Sequence, residues 1–217
     1  MRKQIEALTA YVRSPAFARR RQALVALVVR GNRGLDRLRC ADFLPPLLIR
    51  LYLVPVLWMA AVNKFSHFQA SADWFGGSLG LPAPYLMVFL AAATELFGAI
   101  FLAVGFAVRW ISLPLLATMA VAAVTVHWNY GWLAIASATG PFATERTRAA
   151  VERLAQAKDI LARSGNYESL TEYGNFVVLN NGIEFAATYF ILLLVLLMTG
   201  GGRYVSVDYW LSRRMQD

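Results

Sequence analysis

Apolar residues along this chain gather into four runs of bilayer length, separated by polar and charged stretches. Phe43 to Val62 contains one charge, Arg50, and Pro84 to Val108 contains only Glu95. Trp110 to Trp128 contains no Asp, Glu, Lys or Arg, and Ile183 to Gly200 contains only Glu184. A helix needs about 20 residues to cross a bilayer, so each run predicts one crossing. Strands of a membrane barrel would alternate in polarity and be about half as long. Pro45, Pro46, Pro82 and Pro84 stand at helix entries, where a missing N–H costs nothing. Pro55 and Pro114 lie inside runs and predict bends.

The pattern changes outside these runs. Before Phe43 the longest apolar stretch is Ala23 to Val29, bracketed by Arg19, Arg20, Arg21 and Arg30. It is too short to cross and too far along for a cleavable signal. Ile5, Leu8 and Val12 repeat the same one-sided spacing upstream. Residues 1–42 therefore read as a basic amphipathic arm, either a solvated helix or one lying on the membrane. Between the third and fourth runs, residues 132–180 are too many for a turn. Within them Val151, Leu154, Ala157 and Leu161 recur at helical spacing, with Thr144 as a candidate N-cap and Gly165 as a stop. The expected fold is all-α: an integral-membrane four-helix bundle over residues 43–211, with an amphipathic N-terminal arm. A periplasmic helical insertion, 132–180, joins helices 3 and 4, and residues 212–217 form a tail.

Composition agrees with that division. Apolar residues make up 58% of the 217, above the roughly 45–50% of soluble domains, and charged residues only 16%. The net charge is nevertheless +8, so the charges are segregated from the apolar runs. With four crossings, the side holding both termini collects ten Lys/Arg before Phe43 together with Arg109, Arg203, Arg213 and Arg214. The other side holds Lys64, Arg146, Arg148, Arg153, Lys158 and Arg163. The positive-inside rule then predicts a multi-pass protein of the bacterial inner membrane with both termini cytoplasmic. The basic excess belongs to topology and anionic headgroups, with no nucleic-acid partner expected. One cysteine, Cys40, and two histidines, His67 and His127, predict neither a disulfide framework nor a metal site.

Polar residues inside apolar runs are the candidate chemistry, because the membrane interior penalises them. Counting depth along each helix brings Lys64, Glu95, His127 and Glu184 toward the outer half of one bundle. Lys64 has the alternative of snorkelling, His127 of an aromatic belt beside Trp128, and Glu184 of capping the fourth helix. Glu95 lies far from both helix end and headgroup, so it needs protonation, a partner or water. The expected site has Glu95, His127 and Glu184 as its acting residues, with Lys64, Trp128 and Asn181 binding a ligand around them. Arg50 is expected outside it, shallow on the cytoplasmic side and paired with phosphate or Asp208. Ala91, Thr94 and Gly98 flank Glu95 and predict close helix packing there.

Several short motifs occur in a telling order. Leu48-Ile49-Arg50 leads to Asn63-Lys64-Phe65, then Trp74-Phe75, Leu79-Gly80-Leu81-Pro82, Ala93-Thr94-Glu95-Leu96, and Gly105 before Arg109. The series closes with Gly200-Gly201-Gly202-Arg203-Tyr204 and Ser206-Val207-Asp208. In this it resembles the DoxX family of small four-helix membrane proteins over roughly residues 47–211. The basic arm and the 132–180 insertion depart from the plain family pattern. His127-Trp128-Asn129, Gly131-Trp132 and Asn180-Asn181-Gly182-Ile183-Glu184 resemble the HvfX-type branch, associated with maturation of copper-binding modified peptides.

The resemblance implies redox chemistry beside the quinone pool, as a non-catalytic or quinone-reducing subunit of an oxidoreductase. On that expectation a quinone or similar lipid sits in the outer-half pocket, Glu95 and His127 exchange protons with it, and Trp128 and Trp132 stack on its ring. The competing expectation is a non-enzymatic accessory for maturation, export or copper handling of a small modified peptide, docked on the insertion. Besides the lipid bilayer, a protein partner or a homo-oligomer is expected, because transport through four helices requires one.

Overall fold

A computed structural model describes residues 15–216, and the apolar stripe of Ile5, Leu8 and Val12 lies outside them. The described residues are helical apart from turns and one isolated antiparallel bridge, Ile135 with Leu179. The chain divides into two compact units, one ending at Leu44 and the other beginning at Pro45. The first contains α1 (Pro15–Asp36) and a 3₁₀ turn, Arg37–Ala41. Pro15 opens α1, where its missing N–H is harmless.

The second unit is the bundle. Its helices are α2 (Leu44–Ser66), α3 (Phe68–Gly77), α4 (Pro84–Val104) and α5 (Val108–Ala122), then α6 (Glu145–Arg163), α7 (Tyr167–Thr171), α8 (Glu184–Thr199) and α9 (Val207–Arg214). A π turn, Ala123–His127, and a 3₁₀ turn, Trp128–Tyr130, prolong α5. Among the described residues three segments are long and apolar enough to cross a bilayer: Leu44–Ser66, Pro84–Val104 and Val108–Tyr130. The fourth apolar helix, α8, has 16 residues, about 24 Å at 1.5 Å per residue against a hydrocarbon core of about 30 Å. It falls short of the expected run because Gly200, at φ +78°, turns the chain out of the helix at one end. At the other end non-helical backbone is held inside the protein, the condition under which a membrane tolerates it.

Leu53 and Leu57 of α2, Ala99 and Leu102 of α4, Val108, Leu115 and Met119 of α5, and Leu193 and Leu196 of α8 form the core. α8 packs most extensively on α5, and α4 packs on both α3 and α5. Gly98 lets α4 and α5 close together, since a Cβ there would stand 2.8 Å from Leu115 Cδ2. Two residues whose hydrogen-bond partners the sequence does not foretell bind the α4–α5 corner to the C-terminal segment. Asp208 caps α5, its carboxylate accepting from Ala107 N at 2.6 Å and Val108 N at 2.9 Å.

Arg50 forms no direct salt bridge with Asp208, which acts on it only through space. It is 2% exposed and donates only to carbonyls: Leu102 O at 2.7 Å, Ala103 O at 3.1 Å, Gly201 O at 2.6 Å and Val205 O at 3.2 Å. The negative end of the α4 dipole and the turn after α8 supply these acceptors, and the Asp208 carboxylate adds its charge from farther off. The role of Arg50 is structural, as a clip across three parts of the bundle.

Candidate functional site

Lys64 and Glu95 form a salt bridge across α2 and α4. Lys64 Nζ lies 2.9 Å from Glu95 Oε1 and 2.7 Å from Oε2, with side-chain exposures of 22% for Lys64 and 5% for Glu95. Each residue occupies the place its helix dictates. Lys64 lies in the last turn of α2, where a cation is favoured by the helix dipole. Glu95 lies in the middle of α4 on the face carrying Val88, Ala92, Gly98, Ala99 and Leu102, all buried. A carboxylate on that face requires a partner, and the stem of Lys64 brings one in from the helix end. Lys64, expected at the rim of the site, is thus the direct partner of Glu95. On the outer surface of the same two helices Phe65 meets Phe89 edge-on at 6.4 Å, and both are exposed.

The other candidates assemble around a second centre, where α5 ends and α8 begins. His127 Nδ1 donates to the Asn181 carbonyl at 2.7 Å, which leaves Nε2 as the acceptor in the neutral ring. The π turn before His127 shifts the ring's direction relative to an unbroken helix. Glu184, in the first turn of α8, accepts from Ala134 N at 2.9 Å. Asn181 adopts φ +60°, the left-handed region that asparagine tolerates. Trp128 is 65% exposed, while Trp132 is stacked on Phe142 at 5.4 Å. Among the described residues no hydrogen bond joins this centre to Lys64 or Glu95.

Sequence reading missed the residue that organises this second centre. Asn180 is 3% exposed, and its amide nitrogen donates to Tyr130 O at 2.8 Å and Leu133 O at 2.6 Å. Its oxygen accepts from Arg146 Nε at 3.2 Å, and that guanidinium lies 4.5 Å from the Tyr130 ring centroid. The backbone amides of Asn180, Asn181, Gly182, Ile183 and Glu184 donate to carbonyls of Gly131 to Ala134, between 2.9 and 3.0 Å. The last two, from Ile183 and Glu184, satisfy free N–H groups at the start of α8. Gly182 permits the approach, because a Cβ there would lie 2.5 Å from Leu133 O. The available signal was the string Asn180-Asn181-Gly182 before an apolar run, a turn and cap pattern.

Residues 46–128 match the DoxX family model. The matched segment takes in Arg50, Lys64 and Glu95 and ends at Trp128, so the ion pair lies wholly within it and His127 near its end. Asn180 to Glu184, and all of α6, lie beyond the matched residues. No curated protein and no solved structure matches the chain. The match to the DoxX family and the three long apolar helices among the described residues mark a multi-pass membrane protein.

Proposed function

We propose that this DoxX-domain protein resides in the bacterial inner membrane with both termini cytoplasmic. There it serves as a redox-associated subunit holding a quinone or similar lipid in the outer half of its bundle. The observation that carries the reading is the buried Lys64–Glu95 ion pair with one end open. An ammonium has three donors, and two serve Glu95, so a third remains for an incoming carbonyl oxygen. Phe65 and Phe89 are exposed on the same two helices, where a ring could pack. A bound quinone supplies two-electron chemistry coupled to protons. Lys64 would orient its carbonyl, Glu95 would take up or return the proton through Lys64 Nζ, and the bundle would exclude water. His127 is the second proton carrier of this reading, through its free Nε2. Glu184 and Asn181 position the loop that holds His127, and Trp128 is the second candidate for stacking.

Purified protein titrated with ubiquinone is expected to quench its tryptophan fluorescence saturably, and solvent extraction is expected to release bound quinone. Glu95→Gln keeps the side-chain shape and loses the labile proton, so binding should weaken about tenfold or more with the fold intact. Neither bound nor bindable quinone in folded protein would overturn the proposal. The orientation has its own check. Reporter fusions at Ser164 and at the C-terminus should report opposite sides, and the same side for both would refute it.

A second reading rests on the insertion. Beside the Ile135–Leu179 bridge the chain exposes Tyr173 at 96%, Val177 at 59% and Leu179 at 70%. Together with the resemblance to the HvfX-type branch, this surface suits an accessory that docks a small modified peptide. Saturable binding of such a peptide by quinone-free protein would favour it over the first reading.

A further inference from the structure

We infer that α1 is a membrane-surface helix that docks its apolar stripe and its arginines on the anionic lipid leaflet around its own bundle. Leu24, Val28 and Leu35 project from one side of α1 at helical spacing and are 64%, 57% and 62% exposed. The opposite side carries Gln22, Ala26, Arg30 and Arg33, all exposed, with Val29 at its margin. A helix with that division and an arginine-rich polar side fits the plane of a headgroup layer.

Three further observations name lipid as the occupant. Arg21, Arg30, Arg33, Arg37 and Arg39 are exposed around the helix and the turn that follows, with Asp36 and Asp42 as the only acids over the same stretch. This surface complements anionic phosphate. Residues 37–43 alone separate α1 from the membrane-crossing α2, so the bilayer is present at an effective concentration of order millimolar or more. Even a weak interfacial affinity then holds the arm down. Finally, Gly31, Gly34 and Asn32 are poor helix formers within α1. Such a helix draws its stability from burying a face, and the interface provides one.

The test uses the full-length chain. Cys40 is its single cysteine, so Cys40→Ser gives a background for one spin label at Leu24→Cys or at Ala26→Cys. In bilayers of phosphatidylcholine with one quarter phosphatidylglycerol, the label at position 24 should be reached by oxygen and shielded from a water-soluble nickel reagent. The label at position 26 should show the reverse. Arg30→Gln with Arg33→Gln should lower the bound-to-free ratio of the arm roughly thirtyfold, about a factor of five per arginine. High salt should act in the same direction. Equal water exposure at both positions would overturn the proposal. So would shielding of position 24 that is the same in pure phosphatidylcholine, or that appears only after a protein partner is added.

Discussion

Lys64→Met alone is expected to destabilise the folded protein by about 3–5 kcal/mol, because it strands a carboxylate that is 5% exposed in the bundle interior. Adding Glu95→Leu to it should return most of the loss, since an apolar pair of similar volume is often as stable as a buried ion pair. Glu95→Leu alone should cost less than Lys64→Met alone. The Lys64 side chain is 22% exposed and can swing its ammonium toward the headgroups, whereas Glu95 has no such exit. Unfolding of each variant in detergent, read as a double-mutant cycle, measures the coupling. A cycle with coupling near zero would show that the pair is not a stabilising contact. The double variant also separates structure from function: it should be folded yet unable to bind quinone.

Arg50→Gln should be the most damaging substitution in the chain. It withdraws the donations to the buried carbonyls of Leu102 and Gly201 and weakens those to the part-buried carbonyls of Ala103 and Val205, at about 1–3 kcal/mol for each buried group orphaned. Arg50→Lys should recover little, because one ammonium cannot span carbonyls on α4 and on the Gly201–Val205 turn as a planar fork does. Arg109→Gln is the control. Arg109 is exposed and makes one such bond, to Met198 O at 2.9 Å, so its loss should stay within about 1 kcal/mol. Yield of monodisperse protein and thermal midpoint in detergent rank the three. An Arg50→Gln protein as stable as Arg109→Gln would show that Arg50 is not the clip described.

The same helix ends that were legible in the sequence proved to be the ones with local causes. Thr144 caps α6, accepting from Thr147 N at 3.3 Å while the Thr147 hydroxyl accepts from Thr144 N, and α6 ends at Ser164 before Gly165 at φ +79°. The half-buried side of α6 follows the expected spacing at Val151, Leu154 and Leu161, although Lys158 lies there in place of Ala157. A long lysine covers apolar surface with its stem, which a count of apolar letters does not register. Helix α3 went unforeseen, because Phe68–Gly77 mixes small, polar and aromatic residues without a clear period.

What the sequence alone determined is what depends on composition and position along one helix: the apolar runs, their lengths, the caps, and the depth of each charge. Depth follows from a fixed rise of 1.5 Å per residue. Partnership does not, because it depends on how each helix is rotated about its axis and which loops fold between them. Depth placed Lys64, Glu95, His127 and Glu184 in one half of the bundle. Only the packed structure gave Lys64 to Glu95, His127 to the Asn181 carbonyl and Glu184 to Ala134 N. Depth likewise set Arg50 near the cytoplasmic end, and its four carbonyl partners were decided by the meeting of α2, α4 and the Gly201–Val205 turn. Each of those bonds joins residues dozens of positions apart, where no local rule of spacing reaches.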